Sequence, residues 1–448
     1  MILINEKEIF DYGSKKLLVN YLTGACDIIN SDVANIINNP NKINDKCEFK
    51  EELMRRGYIF ENEEEYAQFI KTLDNQINEI EKKTAPNFLL IPSYNCNLKC
   101  SYCFEQKYDH TKSSKIDNWI SYAFQFIDNQ VKHFCDYNRL NVLPKDIIIT
   151  LMGGEPLLIE NLRDIEEIID KLEQRGYSYN IITNGYHVEH FISIFSKYKP
   201  QAIQITLDGT KEIHDSRRMN KLGEGSFDKI VSNIHYLIDM KILVHIRMNI
   251  DRSNINSLKE FCDKLDSEFG DSKYLKYYIY PIQDGGCLAE DIIIDEVECI
   301  KAINTIKSCN IKTNKVHCVF HGSSFIDSVI KNSPIKFKSR NCAANKSQYI
   351  LDSMGNVYKC WFGVGNEKFS IGSYYKENGL NENKDKVWKN RTTSNISKCS
   401  KCKYRYICGG GCLSHVYNQD KDILNPRCID YHNILKEQFR SIIKSGEN

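Results

Sequence analysis

The chain has 448 residues, of which 18 are cysteine, and its 60 lysines and arginines against 59 aspartates and glutamates leave a net charge of +1. This charge gives no basic surface for nucleic acid, and a composition of 42% hydrophobic and 27% charged residues is typical of a globular protein with two or three domains. No apolar run approaches the roughly 18 residues of a membrane span, and the polar and acidic residues of MILINEKEIF argue against a signal peptide. We therefore expect a cytoplasmic protein. Because that compartment keeps cysteines reduced, their excess indicates metal binding.

The first 85 residues differ in pattern from the rest. They predict a hairpin that turns at Thr23-Gly24, then helices and a second short strand pair, with a last helix that ends before Pro86. The segment resembles the small winged-helix-like peptide-recognition domains of ribosomal-peptide maturation systems, which capture a leader peptide as an added strand. A DNA-binding winged helix and a structural cap are the alternatives. The near-neutral charge and the acidic ENEEEY (61–66) count against DNA.

Residues 87–308 alternate short β-branched runs with amphipathic segments. The pattern predicts strands at 87–94, 146–154, 178–183, 201–207, 243–250 and 274–282. It predicts helices near 114–133, 161–175, 188–198, 226–240 and 254–268. Six strands that alternate with helices predict an α/β fold, a partial (β/α)6 barrel built on a parallel sheet. In such folds the chemistry lies at the carboxyl ends of the strands.

Three cysteines follow the first of these strands directly. Cys96, Cys100 and Cys103, in YNCNLKCSYCFE, form a C-x3-C-x2-C motif with no obvious fourth ligand nearby. Structural zinc has four protein ligands, so a zinc site here would need a distant Cys or His. A [4Fe–4S] cluster held by three cysteines instead leaves one iron open to a substrate or cofactor.

Later strand ends carry glycine-rich and polar motifs. These are GGEP at 153–156, TNG at 183–185, LDG at 207–209, and then His214, Asp215 and Arg218. Paired glycines let the backbone approach a ligand closely, and the Glu155 carboxylate can accept hydrogen bonds from an ammonium group. Each motif alone is typical of a turn, but their order at successive strand ends favours a binding site.

With the aromatic Tyr102 inside the cysteine loop, these motifs resemble those of radical S-adenosylmethionine (radical SAM) enzymes. The resemblance implies that Cys96, Cys100 and Cys103 hold a [4Fe–4S] cluster whose open iron binds the amino and carboxylate groups of SAM. Reduction by one electron, from a donor such as flavodoxin or ferredoxin, then cleaves SAM to methionine and a 5′-deoxyadenosyl radical. That radical abstracts a hydrogen from the substrate.

The resemblance further implies a set of SAM contacts. They are Tyr102, Gly153, Gly154, Glu155, Asn184, Thr206 and Arg218. The GGEP backbone and carboxylate would face the SAM ammonium, and Asn184 would lie near the ribose. Thr206 and Arg218 are the candidates for the SAM carboxylate, and Arg217 and Arg247 are alternatives to Arg218.

Seven further cysteines near the C-terminus follow the order C-x(9–15)-G-x4-C, C-x2-C-x5-C-x3-C and a last C, with Gly355 at the glycine position. They are Cys342, Cys360, Cys399, Cys402, Cys408, Cys412 and Cys428. The pattern resembles the SPASM extension of the radical SAM superfamily, which holds two auxiliary [4Fe–4S] clusters. A structural zinc ribbon is the alternative for the CxxC pair.

The resemblance to that extension also implies which cysteine belongs to which cluster. One cluster would use Cys342, Cys360 and Cys412, and the other Cys399, Cys402, Cys408 and Cys428. The first then lacks a fourth ligand, for which Cys318 is the best candidate and Cys309 the next; an open site for a substrate thiolate is the third alternative. The remaining cysteines are isolated, as small buried apolar residues often are.

The sequence thus predicts three domains: residues 1–85 for leader-peptide recognition, residues 86–308 as the radical SAM partial barrel, and residues 309–448 as the SPASM domain. SPASM enzymes mostly modify peptides or proteins. The resemblance therefore implies a maturase that installs a thioether, from a Cys sulfur to a carbon, or a carbon–carbon crosslink in a ribosomally made precursor peptide. Its partners would be that precursor with its leader and the electron donor, but neither nucleic acid nor membrane.

Two other functions compete with this hypothesis. Anaerobic sulfatase-maturing enzymes, which oxidise a Cys or Ser to formylglycine, have an Asp that serves as a base directly after the G-x4-C cysteine, where this chain has Trp361. A nucleic-acid-binding zinc protein would explain the CxxC pair and the N-terminal segment, but not the ordered strand-end motifs. Peptide crosslinking is the leading hypothesis, and formylglycine formation is the alternative.

Overall fold

The computed structural model describes residues 1–39, 41, 43, 47–107, 114–282, 292–307, 316–376, 379–419 and 422–445. The chain forms two compact units. The terminal unit comprises residues 1–84, 320–346 and 389–448, and the central unit comprises residues 85–319 and 347–388. Within the described ranges, no helix is both long enough and apolar enough to cross a lipid bilayer.

The terminal unit begins with two small antiparallel sheets. Their strands are β1 (Ile2–Leu3), β2 (Lys7–Asp11), β3 (Lys16–Asn20), β4 (Cys26–Ile29) and β5 (Ile59–Phe60). β3 lies between β2 and β4, and β1 pairs with β5. The predicted hairpin joins β3 to β4, and Gly24 in its turn has a φ of +76°, which favours glycine. The predicted second strand pair is β1 with β5.

Three helices complete this N-terminal segment: α1 (Ser31–Asn38), α2 (Lys50–Arg55) and α3 (Glu63–Lys82). Asn62 caps α3, since its side chain accepts a hydrogen bond from the Glu65 N–H group, and three glutamates in the first turn complement the helix dipole. α3 ends at Lys82, so the predicted end of a helix before Pro86 is confirmed.

The central unit is built on a ten-stranded sheet. The strands of this unit are β6 (Asn87–Ile91), β7 (Leu98–Cys100), β8 (Ile148–Leu151), β9 (Ser178–Thr183), β10 (Ala202–Thr206), β11 (Arg218–Asn220), β12 (Leu243–Ile250), β13 (Leu275–Pro281), β14 (Val316–Cys318), β15 (Gln348–Asp352), β16 (Asn356–Tyr358) and β17 (Ser370–Ser373). The sheet order is β14-β13-β12-β10-β9-β8-β6-β15-β16-β17, and β7 pairs separately with β11. The six predicted strands are parallel neighbours in chain order, which confirms the predicted α/β fold.

The remaining helices are α4 (Trp119–Asn138), α5 (Leu162–Arg175), α6 (Ile192–Lys197), α7 (Lys211–Arg217), α8 (Phe227–Asp239), α9 (Leu258–Phe269), α10 (Glu296–Lys307), α11 (Ser323–Ile330), α12 (Glu382–Lys389), α13 (Ser397–Ser400), α14 (Arg405–Cys408), α15 (Leu413–Asn418) and α16 (Tyr431–Ser445). α5 shows why the predicted segments are helical. Its buried residues Ile165, Ile168, Ile169 and Leu172 recur at helical spacing, and Gly176 ends the helix with a φ of +67°.

The two units follow the predicted domains only in part. The predicted boundary near residue 85 coincides with the end of the first segment of the terminal unit. Residues 309–448 are divided between the units, because β15 pairs in parallel with β6 and carries β16 and β17 onto the central sheet. The assignment of functions to three domains stays a prediction.

Residues 1–84 share a hydrophobic core with the C-terminal part of the terminal unit. Phe10, Leu17 and Tyr21 pack in one cluster with residues of α11, α14 and α16, among them Phe325 and Leu435. Since burial of apolar surface is the main stabilising contribution to folding, the N-terminal segment and these helices stabilise each other.

Candidate active site

The three-cysteine loop is held against the segment that ends in Arg218. The loop leaves the carboxyl end of β6, and within it β7 pairs antiparallel with β11, so that Cys100 lies opposite Arg218. The Ser101 N–H group also donates to the Arg217 carbonyl at 3.0 Å. Two motifs that are far apart in the sequence are therefore neighbours.

Tyr102 is the centre of a network that joins this loop to two strand ends. Its hydroxyl donates to Asp208 Oδ2 at 2.5 Å, and it accepts from Arg218 Nη1 at 2.7 Å and from Asn249 Nδ2 at 3.1 Å. Asp208 follows β10, and Asn249 lies at the end of β12. Hydrogen bonds with charged partners are stronger than neutral ones, so this network fixes the position of the Arg218 guanidinium.

The three arginines that the sequence offers for a carboxylate ligand differ in their contacts. Arg217 is already paired with two buried aspartates, and the Arg247 guanidinium lies over the Tyr280 ring at 4.5 Å. Arg218 is 6% exposed, and among the described residues its Nε has no hydrogen-bond partner. A buried N–H donor of this kind fits an anionic ligand. The geometry thus favours Arg218 over the two alternatives.

His214 and Asp215 support this arrangement from within the protein. His214 is fully buried, and burial lowers its pKa well below the ordinary value, so the imidazole is neutral. Its Nδ1 accepts from the Asp208 N–H group, and its Nε2 then donates to Ser226 Oγ, which donates to the Arg218 carbonyl. Asp215 accepts from two N–H groups at the start of α8. Both residues have positioning roles.

The GGEP glycines allow a close backbone approach, as the sequence predicts, but they approach the protein itself. A Cβ atom on Gly154 would lie 2.2 Å from the Tyr94 carbonyl oxygen and 2.4 Å from the Asn95 carbonyl oxygen. Gly153 has a φ of +139°, and a Cβ there would lie 2.6 Å from the Ser93 carbonyl oxygen. These glycines hold the end of β8 against the residues that lead into the cysteine loop.

Glu155 links GGEP to TNG. Its carboxylate is 1% exposed and accepts hydrogen bonds from the Thr183 hydroxyl at 2.5 Å, from the Leu157 N–H at 2.8 Å and from the Asn184 N–H at 2.6 Å. Burial raises the pKa of Glu155, and these bonds act in the opposite direction. An ionised carboxylate has about four acceptor positions, so one remains that could serve an ammonium group.

Asn184 and Thr206 lie at different parts of the site. The Asn184 amide donates to Asn97 Oδ1 at 2.7 Å and lies 3.8 Å from Cys96 Sγ, beside the cysteine loop. Thr206 is buried at the end of β10, where it pairs with Arg247 of β12. Asn184 and Thr206 therefore lie at the carboxyl ends of neighbouring strands, β9 and β10. Their roles toward SAM stay predictions.

The cysteine sulfurs are spaced too widely for a zinc site. Zn–S bonds of this kind in a tetrahedron place the sulfurs about 3.8 Å apart. Among the described residues, the only three ligand atoms of His, Cys, Asp or Glu that lie within 4.8 Å of one another belong to His187, Glu189 and His190. The ten motif cysteines are all described, so no three of them are close enough.

Residues 90–265 match the family model described as the radical SAM superfamily. The protein contains a radical SAM domain. The cysteine loop, GGEP, TNG and Arg218 all lie within it, which confirms the resemblance and, with it, an enzyme that uses SAM and iron–sulfur clusters.

Three known proteins match most of the chain. A cysteine-type anaerobic sulfatase-maturating enzyme of Clostridium novyi is 28% identical over 383 residues, which cover 79% of this chain and 93% of that protein. The radical SAM cyclopropyl synthase TigE of Paramaledivibacter caminithermalis is 23% identical over 475 residues, which cover 98% of this chain and 89% of that protein. The structure of Streptococcus suis SuiB bound to precursor peptide SuiA covers 96% of this chain and 99% of its own, with a TM-score of 0.58 and 13% identity, and so has the same fold.

Outside the radical SAM domain, the predicted auxiliary ligands of the terminal unit lie in two groups. Burial, and then the nearby charges of Cys408, Cys402 and Cys428, raise the pKa of Cys399 to about 12. Burial also raises the pKa of Cys342, on which the charge of Cys412 acts in the same direction. Cysteines that the SPASM resemblance assigns to one cluster are thus neighbours in space. The ligand sets themselves stay predictions.

Three of the predicted or alternative auxiliary ligands are not described within the terminal unit. Cys360 is buried in the central unit, just after β16. Cys318 ends β14, but its side chain is outside the described part of the chain, as is the whole of Cys309. The fourth ligand of the first auxiliary cluster therefore stays open.

Three residues of the radical SAM domain are not among the site residues that the sequence predicts. Asp208 lies within LDG, a motif typical of a turn, and Asn249 has no signal beyond the end of its strand. Glu105 is two positions after Cys103 and 7% exposed, and its Oε2 has no hydrogen-bond partner among the described residues. Burial, and then the charge of Glu155, raise the pKa of Glu105 to about 7. The sequence offers one signal for Glu105, which is its place directly after the three-cysteine loop.

Proposed function

We propose that this radical SAM enzyme is a peptide maturase that installs a thioether or a carbon–carbon crosslink in a ribosomally made precursor peptide. The observation that carries the proposal is the share of the chain that matches each known protein. SuiB, which was solved with a precursor peptide, matches 96% of the chain, and such a match must include most of residues 1–84. The Clostridium novyi enzyme uses 93% of its own length to match only 79% of this chain. About a fifth of this chain thus has no counterpart in that enzyme, as expected of a maturase with an added leader-binding segment.

The N-terminal sheet supports a role in peptide capture. β4 is an edge strand, because its one partner in the sheet is β3. Ile28 of β4 is 65% exposed. An edge strand offers unpaired backbone groups to an extended peptide, and an exposed apolar side chain beside them adds contact area. β2, the other edge, carries Phe10, whose side chain is buried against α16.

The active site supports radical chemistry on a bound peptide. When bound, SAM and its cluster supply a carbon-centred radical that can take hydrogen from an unactivated carbon. The residues of this chain provide the surroundings: Tyr102 and Asp208 fix the Arg218 guanidinium beside Cys100, and Glu155 ties two strand ends together. Because these groups are hydrogen-bonded before SAM binds, little reorganisation is needed on binding.

Formylglycine formation is the second candidate, and the 28% identity to the Clostridium novyi enzyme favours it. The residue after Cys360 counts against it. Trp361, 39% exposed, stands where sulfatase-maturing enzymes are expected to have a catalytic Asp, and an indole N–H group donates hydrogen bonds but cannot accept a proton.

A mass-spectrometric assay with two peptides distinguishes these functions. One peptide is a short Cys-containing precursor chosen from the open reading frames beside the gene, and the other is a sulfatase segment with its target Cys. We expect the precursor to lose two hydrogens per crosslink, with release of 5′-deoxyadenosine, and the sulfatase segment to remain unchanged. Loss of sulfur from the sulfatase segment, with no change in the precursor, would contradict the proposal.

The same assay tests the role of β4. Ile28→Asp is expected to weaken binding of the full-length precursor at least about tenfold, because it places a charge on the surface where the leader would pack. Peptide-independent formation of 5′-deoxyadenosine should not change. Fluorescence anisotropy with labelled precursor measures the affinity, and the rise in KM at unchanged kcat gives a second readout.

The matched control is Ile80→Asp on α3, because Ile80 is 69% exposed in the same unit. Equal affinities for wild type, Ile28→Asp and Ile80→Asp would contradict capture by β4. Deletion of residues 1–84 is a poorer experiment, since those residues share the core that includes Phe325 and Leu435.

A further inference from the structure

Arg391, between α12 and α13, is the largest of the fully buried side chains, with 1% of its surface exposed. Its guanidinium donates four hydrogen bonds of 2.8–2.9 Å, all to backbone carbonyls. The acceptors are the carbonyls of Gly410, Gly411, Ile423 and Asn425. The glycines of the Cys408-Gly-Gly-Gly-Cys412 segment have φ values of +75°, +85° and +74°. These are the left-handed conformations that glycine adopts without steric cost.

The positive charge of Arg391 has no carboxylate partner in the part of the chain that the structure describes. Among the described residues, no Asp or Glu oxygen lies within ion-pair distance of it. Two other buried arginines have such partners, since Arg217 contacts Asp208 and Asp251, and Arg405 contacts Glu6. An unpaired charge is costly to bury, and backbone carbonyls supply hydrogen bonds but no countercharge. A nearby anion would offset this cost.

The groups in position to provide that anion are cysteines. A Cβ atom on Gly410 would lie 3.4 Å from Arg391 Nη1 and 3.9 Å from Cys399 Sγ, so the guanidinium and the sulfur both approach the same point beside this glycine. Burial lowers the pKa of Arg391, and the charges that oppose this effect belong to four cysteines: Cys399, Cys412, Cys408 and Cys342. Thiolates bound to iron keep their negative charge.

We propose that Arg391 is the countercharge of the auxiliary cluster predicted on Cys399, Cys402, Cys408 and Cys428, and that it raises the reduction potential of that cluster. This inference rests on the proposed function as a radical SAM enzyme with auxiliary clusters, and on the ligands that the SPASM resemblance implies for this cluster. Reduction adds one negative charge to the cluster, and a fixed cation in a low-dielectric interior stabilises the more negative state. Arginine suits the task because its guanidinium stays protonated at all ordinary pH values.

The experiment compares Arg391→Gln, which removes the charge, with Arg391→Lys, which keeps it, in the full-length protein reconstituted anaerobically with iron and sulfide. Iron per chain and the midpoint potentials followed by EPR are the readouts, and neither depends on catalysis. We expect Arg391→Gln to lower one auxiliary potential, or to lose about four irons, and Arg391→Lys to stay close to wild type in both. Equal behaviour of the two variants, whether both resemble wild type or both lose the cluster, would overturn the proposal. In either case, keeping the positive charge at position 391 would make no difference to the cluster.

Cys408→Ala separates this inference from the assignment on which it rests. Loss of about four irons in Cys408→Ala, together with unequal Gln and Lys variants, supports both. If Cys408→Ala keeps the wild-type iron content, no cluster is bound there, and the cluster assignment and the role of Arg391 both fail.

Discussion

Cys100→Ala is expected to abolish reductive cleavage of SAM. Cys100 lies on β7 opposite Arg218, at the centre of the three-cysteine loop. A cluster held by three thiolates cannot lose one and keep a single open iron, so the variant should lack about four irons and form no 5′-deoxyadenosine above background. Chromatography of the products after dithionite reduction measures the cleavage, and colorimetric iron analysis measures the cluster.

Cys262→Ala is the control for loss of a thiol. Cys262 is 1% exposed in α9 and lies outside both cysteine motifs, so its replacement should leave the iron content and SAM cleavage unchanged. If Cys100→Ala still formed 5′-deoxyadenosine at the rate of Cys262→Ala, the loop would not hold the SAM cluster.

Asp208→Asn is expected to cause the largest combined loss of stability and SAM binding. Asp208 is 1% exposed, and its carboxylate accepts from Tyr102, from Arg217 and from the Asn249 N–H group. Asn keeps the size but removes the charge, and its NH2 group must face one of these donors. Removal of one partner of a buried ion pair costs roughly 3–5 kcal/mol, and since Arg217 keeps its pair with Asp251, we expect about 3 kcal/mol.

The loss of SAM affinity follows from Tyr102. Without an anionic acceptor, its hydroxyl no longer fixes Arg218, and an affinity loss of about tenfold corresponds to about 1.4 kcal/mol. Urea unfolding and equilibrium dialysis with SAM give the two values. Asp228→Asn is the control, because Asp228 is 71% exposed and its ion pair with Lys211, which water and salt screen, should contribute little to stability. Indistinguishable effects of the two variants would contradict the network described for Tyr102.

The order of strands and helices in the radical SAM domain was predictable because each element carries a local signal. The buried residues of α5 recur at helical spacing, and β12 alternates apolar residues with polar ones, as strands do. The candidate cysteine ligands, which stay a prediction, carry a different local signal, since thiolate ligands of one cluster recur at short, regular spacings. These signals do not depend on distant parts of the chain.

The contacts that complete the site were not predictable in this way. Asp208 meets Tyr102 only because β7 pairs with β11, and no spacing in the sequence reports that pairing. GGEP has the sequence of a ligand-binding turn, yet its glycines are required by the carbonyls of Tyr94 and Asn95. The core shared by residues 1–84 with α11 and α16 is likewise a long-range contact.

Quantification of iron and zinc in the anaerobically purified and reconstituted chain tests the central claim most directly. Three [4Fe–4S] clusters, one at the three-cysteine loop and two among the C-terminal cysteines, predict about twelve irons per chain with the Mössbauer spectrum of cubane clusters and no stoichiometric zinc. Stoichiometric zinc with little iron would contradict the account, because the cysteines would then form structural zinc sites and no cluster would be present to cleave SAM.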